Sequence, residues 1–434
     1  MKKVLIVSPH FAPTNAPDMQ RVRLALPYLR DCGWEPVILA IAHECIEGGV
    51  LDPLLESTYP ADVRVVRVRG LAPRVTRRFG FGSLWLRCGR ALRAAGEQLL
   101  RTEKFDLVFF STTQFDAFPL GPRWLREFGV PYVLDYQDPW VNDYYRRTKT
   151  RPPGGALKFA FAQWRARRQE PVALRAAAGV IAVSDAYGPT LAAQYPWFEA
   201  ARVSLLPFGA AATDIAIARQ HVPARPLVDF NDGLFHHVYA GRCGPDMSIS
   251  LTIIFRAFKL FLAKHPERAA RIRFDFIGTD YAPPPLGREW AIPIARAEGL
   301  ELYVREHCYR VPYFDALHYL VKADALLAVG SNDPTYSASK IFPYILADRP
   351  MLVVFNARSP VLAFAHRTDS GLRFSFDTAG DIERISAQLA EIWFAQGGMT
   401  ERRPANLEAF EPFTARSMTR RLAACFDEAA ATRR

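Results

Sequence analysis

Apolar residues in this chain gather in short unbroken runs that recur at regular intervals. KVLIVS at Lys3–Ser8, PVILA at Pro36–Ala40, LVFF at Leu107–Phe110 and VIAV at Val180–Val183 form the first series. FHHVYA at Phe235–Ala240, the run Ile272–Ile277, ALLAV at Ala325–Val329 and MLVVF at Met351–Phe355 form the second. Runs this short, rich in β-branched residues and bounded by turn formers, read as strands buried on both faces of a parallel sheet. Weaker strands are expected at Val63–Val68, Tyr132–Leu134, Val203–Leu206 and Leu372–Phe376. Helical spacing fills the intervals at Met19–Cys32, Arg165–Ala178, Ile249–His265, Asp315–Ala323 and Asp381–Phe394. The pattern predicts an α/β protein with two Rossmann-like halves.

A chain of 434 residues is too long for one ordinary core, which agrees with two domains. The pattern lapses over residues 210–232, so we expect domains at 1–209 and 233–405 with a connection between them. A C-terminal helix over 406–434 is expected to pack back on the first domain. The opening MKKVLIVSPHF has too short an apolar run for a secretion signal and reads as the first strand. No run of about 18 apolar residues is present, so no membrane span is expected.

Fifty-five Lys and Arg against forty-four Asp and Glu give a net charge of +11, which implies an acidic partner. No nucleic-acid-binding signature accompanies it. The segment Arg67–Lys104 mixes arginines with aromatic and aliphatic residues. Arg74, Arg77, Arg78, Trp85, Arg87 and Arg90 are the expected contacts with an anionic membrane surface. The other reading is a solvated helix packed on its own domain. Six scattered cysteines have neither metal-ligand nor disulfide spacing, which favours a reducing compartment.

Chemistry is expected where strands end, because open α/β sheets bind ligands at their carboxyl edge. The most loaded loop is SNDPTYSASKIFPYILADRP, Ser331–Pro350, between two strands of the second half. Asn332, Asp333, Tyr336, Ser337, Ser339 and Lys340 crowd ahead of its helix, and Asp333, Tyr336, Ser337, Ser339, Lys340 and Ile341 are its candidates. Pro343 lacks an N–H and suits only a first helical turn, so the amides just before it are free to meet an anion. A loop that merely caps its helix is the competing reading. Gly241 and Arg242 follow the Phe235–Ala240 strand and would meet phosphate through bare backbone and a guanidinium fork. Asp280 ends the next strand. In the first half, the loop HFAPTNAPD with His10, Asn15 and Asp18, followed by Arg21, forms a candidate sugar- or phosphate-facing surface. It has no dinucleotide-binding glycines. Asp138, beyond the Tyr132 strand, is the candidate base or hydroxyl-orienting carboxylate, ahead of Asp135 inside the strand.

These segments resemble, in order and spacing, the GT-B glycosyltransferases of the glycosyl transferase group 1 (family 4) class. VLIVSPHFAPTNAPDMQRVRLALPYLRDCGWEPVILA is similar to that family's entry, VLDYQDPW to its segment with an active-site acid, and LLPFG to its Pro-Asn-Gly turn. HVYAGRCGPDM is similar to its Gly-Arg phosphate turn and YSASKIFPYILADRPML to its donor-site helix. The resemblance implies two Rossmann-like domains facing across a cleft. It also implies retaining transfer of a sugar from a nucleotide diphosphate sugar to a glycan or lipid-linked acceptor, with no metal or other cofactor. A cytoplasmic site on the inner face of a membrane, in polysaccharide or glycolipid assembly, follows. The family's usual Lys falls here on Met247 and its ribose-binding Glu on Pro343; Lys340, Asp333 and Asp280 are the candidate replacements. A non-catalytic relative that serves as binding partner of an active transferase is the alternative.

Overall fold

The computed structural model describes residues 1–71, 83–142, 155–282, 284–333 and 340–432. The chain divides into two compact units, Met1–Gly209 with Ala415–Arg434, and Ala210–Thr414.

In the first unit, strands β1 (Lys2–Val7), β2 (Trp34–Ile41), β3 (Arg64–Val68), β4 (Leu107–Ser111), β5 (Tyr132–Tyr136), β6 (Gly179–Ala182) and β7 (Val203–Leu205) form one parallel sheet in the order β3-β2-β1-β4-β5-β6-β7. Helices α1 (Gln20–Leu29), α2 (Leu84–Thr102), α3 (Leu120–Phe128), α4 (Ala156–Arg175) and α5 (Tyr187–Gln194) accompany it. Val4, Leu5, Ile6 and Val7 are at most 1% exposed, and each such side chain contributes about 1.5–3 kcal/mol on burial.

The second unit has the parallel strands β8 (Phe235–Ala240), β9 (Ile272–Ile277), β10 (Val304–His307), β11 (Ala325–Val329), β12 (Met351–Asn356) and β13 (Leu372–Phe376), in the order β10-β9-β8-β11-β12-β13. Its helices include α6 (Ala212–Gln220), α7 (Ser248–Lys264), α8 (Tyr313–Lys322) and α9 (Ile341–Ala347). In both sheets the chain starts centrally, steps outward, then returns to the other side of its first strand. Each reversal opens a crevice at the carboxyl edge, between β1 and β4 in one unit and between β8 and β11 in the other.

The boundaries differ from the sequence expectation in two places. Residues 210–232 are no bare connection: α6 is held on α8 by the Tyr313 hydroxyl donating to Asp214 at 2.8 Å, and His221 meets Asp315 at 2.6 Å. Residues 406–414 remain with the second unit, where Phe410 and Phe413 pack on Phe342 and Phe364. Only the following helix, α10 (Ala415–Ala431), belongs to the first unit. There Phe426 lies between Trp34 and Phe109, and Asp427 accepts from the Trp34 indole at 3.0 Å.

Two further corrections concern the basic segment. Arg87 is buried, 5% exposed, and donates to the Cys45 carbonyl at 2.7 Å, so it anchors α2 to its own unit and cannot face lipid. Arg74, Arg77 and Arg78 lie outside the described residues. Among the described residues no helix is long and apolar enough to cross a membrane.

Candidate functional site

In the first unit, the β1 loop and the β4 loop flank the sheet's reversal. Asp18, 3% exposed, accepts hydrogen bonds from Thr112 Oγ1 at 3.0 Å, Thr113 N at 3.0 Å and Thr113 Oγ1 at 3.1 Å. Both of its oxygens lie 3.0 Å from His10 Nδ1. Burial by itself would lower the His10 pKa, but the charge and hydrogen bond of Asp18 outweigh it and the net shift is upward. Burial likewise opposes ionisation of Asp18, and His10 with the threonine donors reverses that, so its pKa is depressed. The pair therefore favours an imidazolium, partly exposed, held on a buried carboxylate.

Asp138 stands just past β5 at the surface, where partial loss of hydration and then the charge of Asp18 raise its pKa. Tyr187 donates to the Gln137 carbonyl at 3.4 Å, and its phenol is pushed upward by burial and then by Asp138 and Asp135. Thus His10, Asp18 and Asp138 share one neighbourhood. Gln137, which sequence reasoning missed, ties it together by donating to the Asp18 carbonyl at 3.0 Å, to Ser111 at 3.0 Å and to Asp135 at 2.8 Å.

Arg21 and Asn15 are placed differently from the expectation. Arg21 and Asp135 are both fully buried and paired at 2.8 Å, and Arg21 also donates to the Leu206 carbonyl at 2.6 Å. Its guanidinium is spent on holding α1 to β5 and to the chain leaving β7, and offers nothing to a ligand. Asn15 sits in a two-residue strand paired antiparallel with Val50–Leu51, 8% exposed.

In the second unit the loops after β8 and β11 flank the corresponding reversal. Gly241 has φ of 137°, and a Cβ there would meet Lys340 Cδ at 3.3 Å and Nζ at 3.7 Å. Glycine is needed both for the backbone and for the lysine that crosses it. Lys340 reaches over the Tyr239 ring, 4.4 Å from its centroid, and donates to the Tyr239 hydroxyl and, at 3.3 Å, to the Arg242 carbonyl. Burial of the ammonium is the largest influence on it and brings its pKa down to about 7. Packing around its stem is tight, with only ≈ 10 Å³ of space among Ala328, Lys340, Ile341, Tyr344 and Phe355. Neighbouring Cys243 is buried, which pushes its thiol up to about 12, so it stays neutral.

Arg242 is about one-third exposed, and its Nη1 and Nη2 engage both oxygens of Asp246 at 3.0 and 2.7 Å. The fork expected to be open to phosphate is therefore shared with a carboxylate. Met247, where the family's lysine would fall, is fully buried and packs in the core. Helix α9 starts at Ile341, with Lys340 as its cap, so Pro343 sits in the first turn. Asp333 is exposed, and its amide donates to Ser331 at 3.0 Å. Asp280 closes its own loop by accepting from the amides of Ala282 at 3.1 Å and Arg288 at 2.8 Å. That loop adjoins the Arg242 turn through the Cys243 amide, which donates to the Thr279 carbonyl at 2.8 Å. Tyr336, Ser337 and Ser339 lie outside the described residues. Tyr239 and Asp246 complete the site and were not singled out from sequence; the amide of Asn332, from the loaded loop, donates to the Asp246 carbonyl at 2.5 Å, and its buried Oδ1 has no hydrogen-bond partner among the described residues.

Residues 20–209 match the family described as glycosyl transferase 4-like domain. No curated protein matches the chain by sequence. Among solved structures, HepE of Anabaena in complex with UDP and glucose is similar at a TM-score of 0.60 and 16% identity, over 98% of this chain and 99% of that one. The UDP-forming α,α-trehalose-phosphate synthase of Burkholderia xenovorans is similar at 0.60 and 15%, over 99% and 100%. Sucrose-phosphate synthase of Thermosynechococcus elongatus follows at 0.57 and 13%, over 100% of both chains. At these identities the likeness is one of fold, the GT-B arrangement of paired Rossmann-like units.

Proposed function

Starting from a chain whose residues 20–209 match the glycosyl transferase 4-like domain and whose fold is GT-B, we propose that the protein transfers a sugar from a nucleotide diphosphate sugar to a glycan or lipid-linked acceptor. The observation that carries this reading is the cationic crevice of the second unit, where Arg242 and Lys340 meet at the turn after β8. As the glycosidic bond breaks, negative charge grows on the leaving diphosphate, and preplaced cations lower the energy of that state. Lys340 and Arg242 take that role, and Gly241 lets the chain approach the phosphates closely. HepE with bound UDP and glucose supports a nucleotide sugar as the donor class.

The acceptor lies against the first unit. Asp138, whose pKa is raised, accepts a hydrogen bond from the attacking hydroxyl and orients it on the face from which the diphosphate departs; the leaving phosphate oxygen takes the hydroxyl proton, so the configuration is retained. His10, kept as imidazolium by Asp18, meets an anionic group of acceptor or donor. The reading includes retention at the anomeric carbon, no metal requirement, and polysaccharide or glycolipid assembly at the cytoplasmic, anionic face of a membrane. The net charge of +11 supports that location.

The test is binding and transfer with a panel of UDP-, GDP- and ADP-sugars, the anomeric configuration of any product being read by NMR. Saturable binding of one donor and an axial-to-axial product are expected. Absence of binding to every donor contradicts the proposal.

A further inference from the structure

The first unit has a second concave surface that the transfer site does not use. Helices α2, α3 and α4 border an open cavity of ≈ 590 Å³ lined by Trp85, Arg90, Arg93, Arg123, Arg126 and Val172, among others. Arg123 and Arg93 lie 3.0 and 3.7 Å from Glu97. The one carboxylate on the wall, Asp116, is paired with Arg165 of α4 at 2.8 Å. Arg90 and Arg126 are exposed and make no ion pair among the described residues. The cavity is thus positive, with two guanidiniums turned to solvent.

Val172 also belongs to a stripe that runs along α4 away from the cavity. Leu157, Phe161, Trp164 and Val172 are 90, 59, 49 and 54% exposed, and with Arg168 their spacing puts them on one helical face. Phe161 stacks on Trp164 at 5.8 Å, and the Arg168 guanidinium covers the indole at 4.3 Å. Among the described residues, Ala166, Glu170, Ala173 and Leu174 bury the other face of α4, and this one stays exposed. Exposed apolar patches of this kind mark contact surfaces. The charges on α4 are Lys158, Arg165, Arg167, Arg168 and Arg175 against a single acid, Glu170, which is buried.

We propose that this surface docks on a bilayer containing anionic phospholipid, with a headgroup phosphate in the cavity against Arg90 and Arg126 and with Leu157, Phe161 and Trp164 at the acyl boundary. An apolar stripe flanked by arginines is the arrangement an interfacial helix requires. A second copy of the chain fits poorly, because self-docking would bring like-charged arginines together. The inference rests on the membrane part of the function proposed above and is independent of sugar transfer. It also shifts the contact from the segment around Arg74–Arg78 to α2, α3 and α4.

Flotation of the full chain with vesicles tests it. Wild type is expected to bind phosphatidylcholine vesicles carrying about one-third phosphatidylglycerol and to ignore pure phosphatidylcholine. R90E/R126E should lower binding at least about tenfold, and F161S/W164S should lose the part of binding that survives high salt, while both variants keep wild-type affinity for the donor nucleotide. If wild type floats and both variants float equally well, the site is wrong although the membrane location stands. If wild type does not float, or floats equally with neutral lipid, the membrane location fails as well.

Discussion

The crevices of the two units sit at equivalent places in sheets of the same strand order, yet they carry opposite chemistry. In the first unit the crevice is built on a buried carboxylate, Asp18, that holds a histidine. In the second it is built on a lysine and an arginine around a glycine turn. Arginine makes the contrast plainest. Arg21 opens a helix at one crevice and is consumed by Asp135 and two carbonyls, whereas Arg242 at the other stays one-third exposed. Topology sets where a ligand can sit; whether a nearby cation serves the fold or the ligand depends on the partners the tertiary structure delivers to it.

The largest effect that separates these two roles is on stability. R21A strands the buried Asp135 charge and should cost about 3–5 kcal/mol in chemical denaturation, whereas R242A should cost under about 1 kcal/mol. If both cost the same, the structural and ligand-facing roles assigned here are not distinct.

Next in size is donor affinity. K340M removes the ammonium that bridges Tyr239 and the Arg242 carbonyl and should weaken nucleotide-sugar binding by about 1.5–3 kcal/mol, read by calorimetry. Unchanged affinity would assign Lys340 to holding the Gly241–Arg242 turn only.

For the first crevice, D18N should cost about 1–3 kcal/mol and, by leaving burial unopposed, bring the His10 pKa down from its raised value to below the ordinary one, read by NMR. The signs follow from the shifts. The raised His10 pKa adds stability that is complete below the usual histidine value and fades as pH climbs through the raised one. The depressed Asp18 pKa adds stability that is present above the usual carboxylate value and fades as pH falls through the lowered one. A His10 that titrates identically with and without Asp18 would break this half of the comparison. The smallest effect is D246N, which releases the Arg242 fork and should strengthen donor binding by at most about 1 kcal/mol; a loss of affinity would show that Asp246 positions Arg242 for the ligand.

The strands were legible because a parallel sheet covered on both faces demands unbroken apolar runs, as in LVFF and ALLAV. β10, with the sequence VREH, escaped notice because it lies at the sheet edge and is only partly buried. α3 and α5 were hidden by the Pro and Gly in their first turns, and α6 by its weak periodicity. Among the site residues, Lys340 and Arg242 were visible because their chemistry is concentrated in short loops. Arg21 looked like an anion ligand because its partner, Asp135, is 114 positions away. Thr112, Thr113 and Gln137 carried no signal of their own, since their role appears only when β4 and β5 stand beside β1.

The central claim is that the crevice beside β8 binds a donor diphosphate with Lys340 as its titrating cation. It is tested most directly by the pH dependence of binding of the tightest nucleotide sugar in the panel, whose diphosphate keeps its charge across the range. With the Lys340 pKa at about 7, the ammonium is present below that pH and lost above it. Wild type should lose roughly tenfold in affinity between about pH 6 and pH 9, and K340M should bind weakly with a flat profile. A flat wild-type profile, or the same slope in K340M, would contradict the claim.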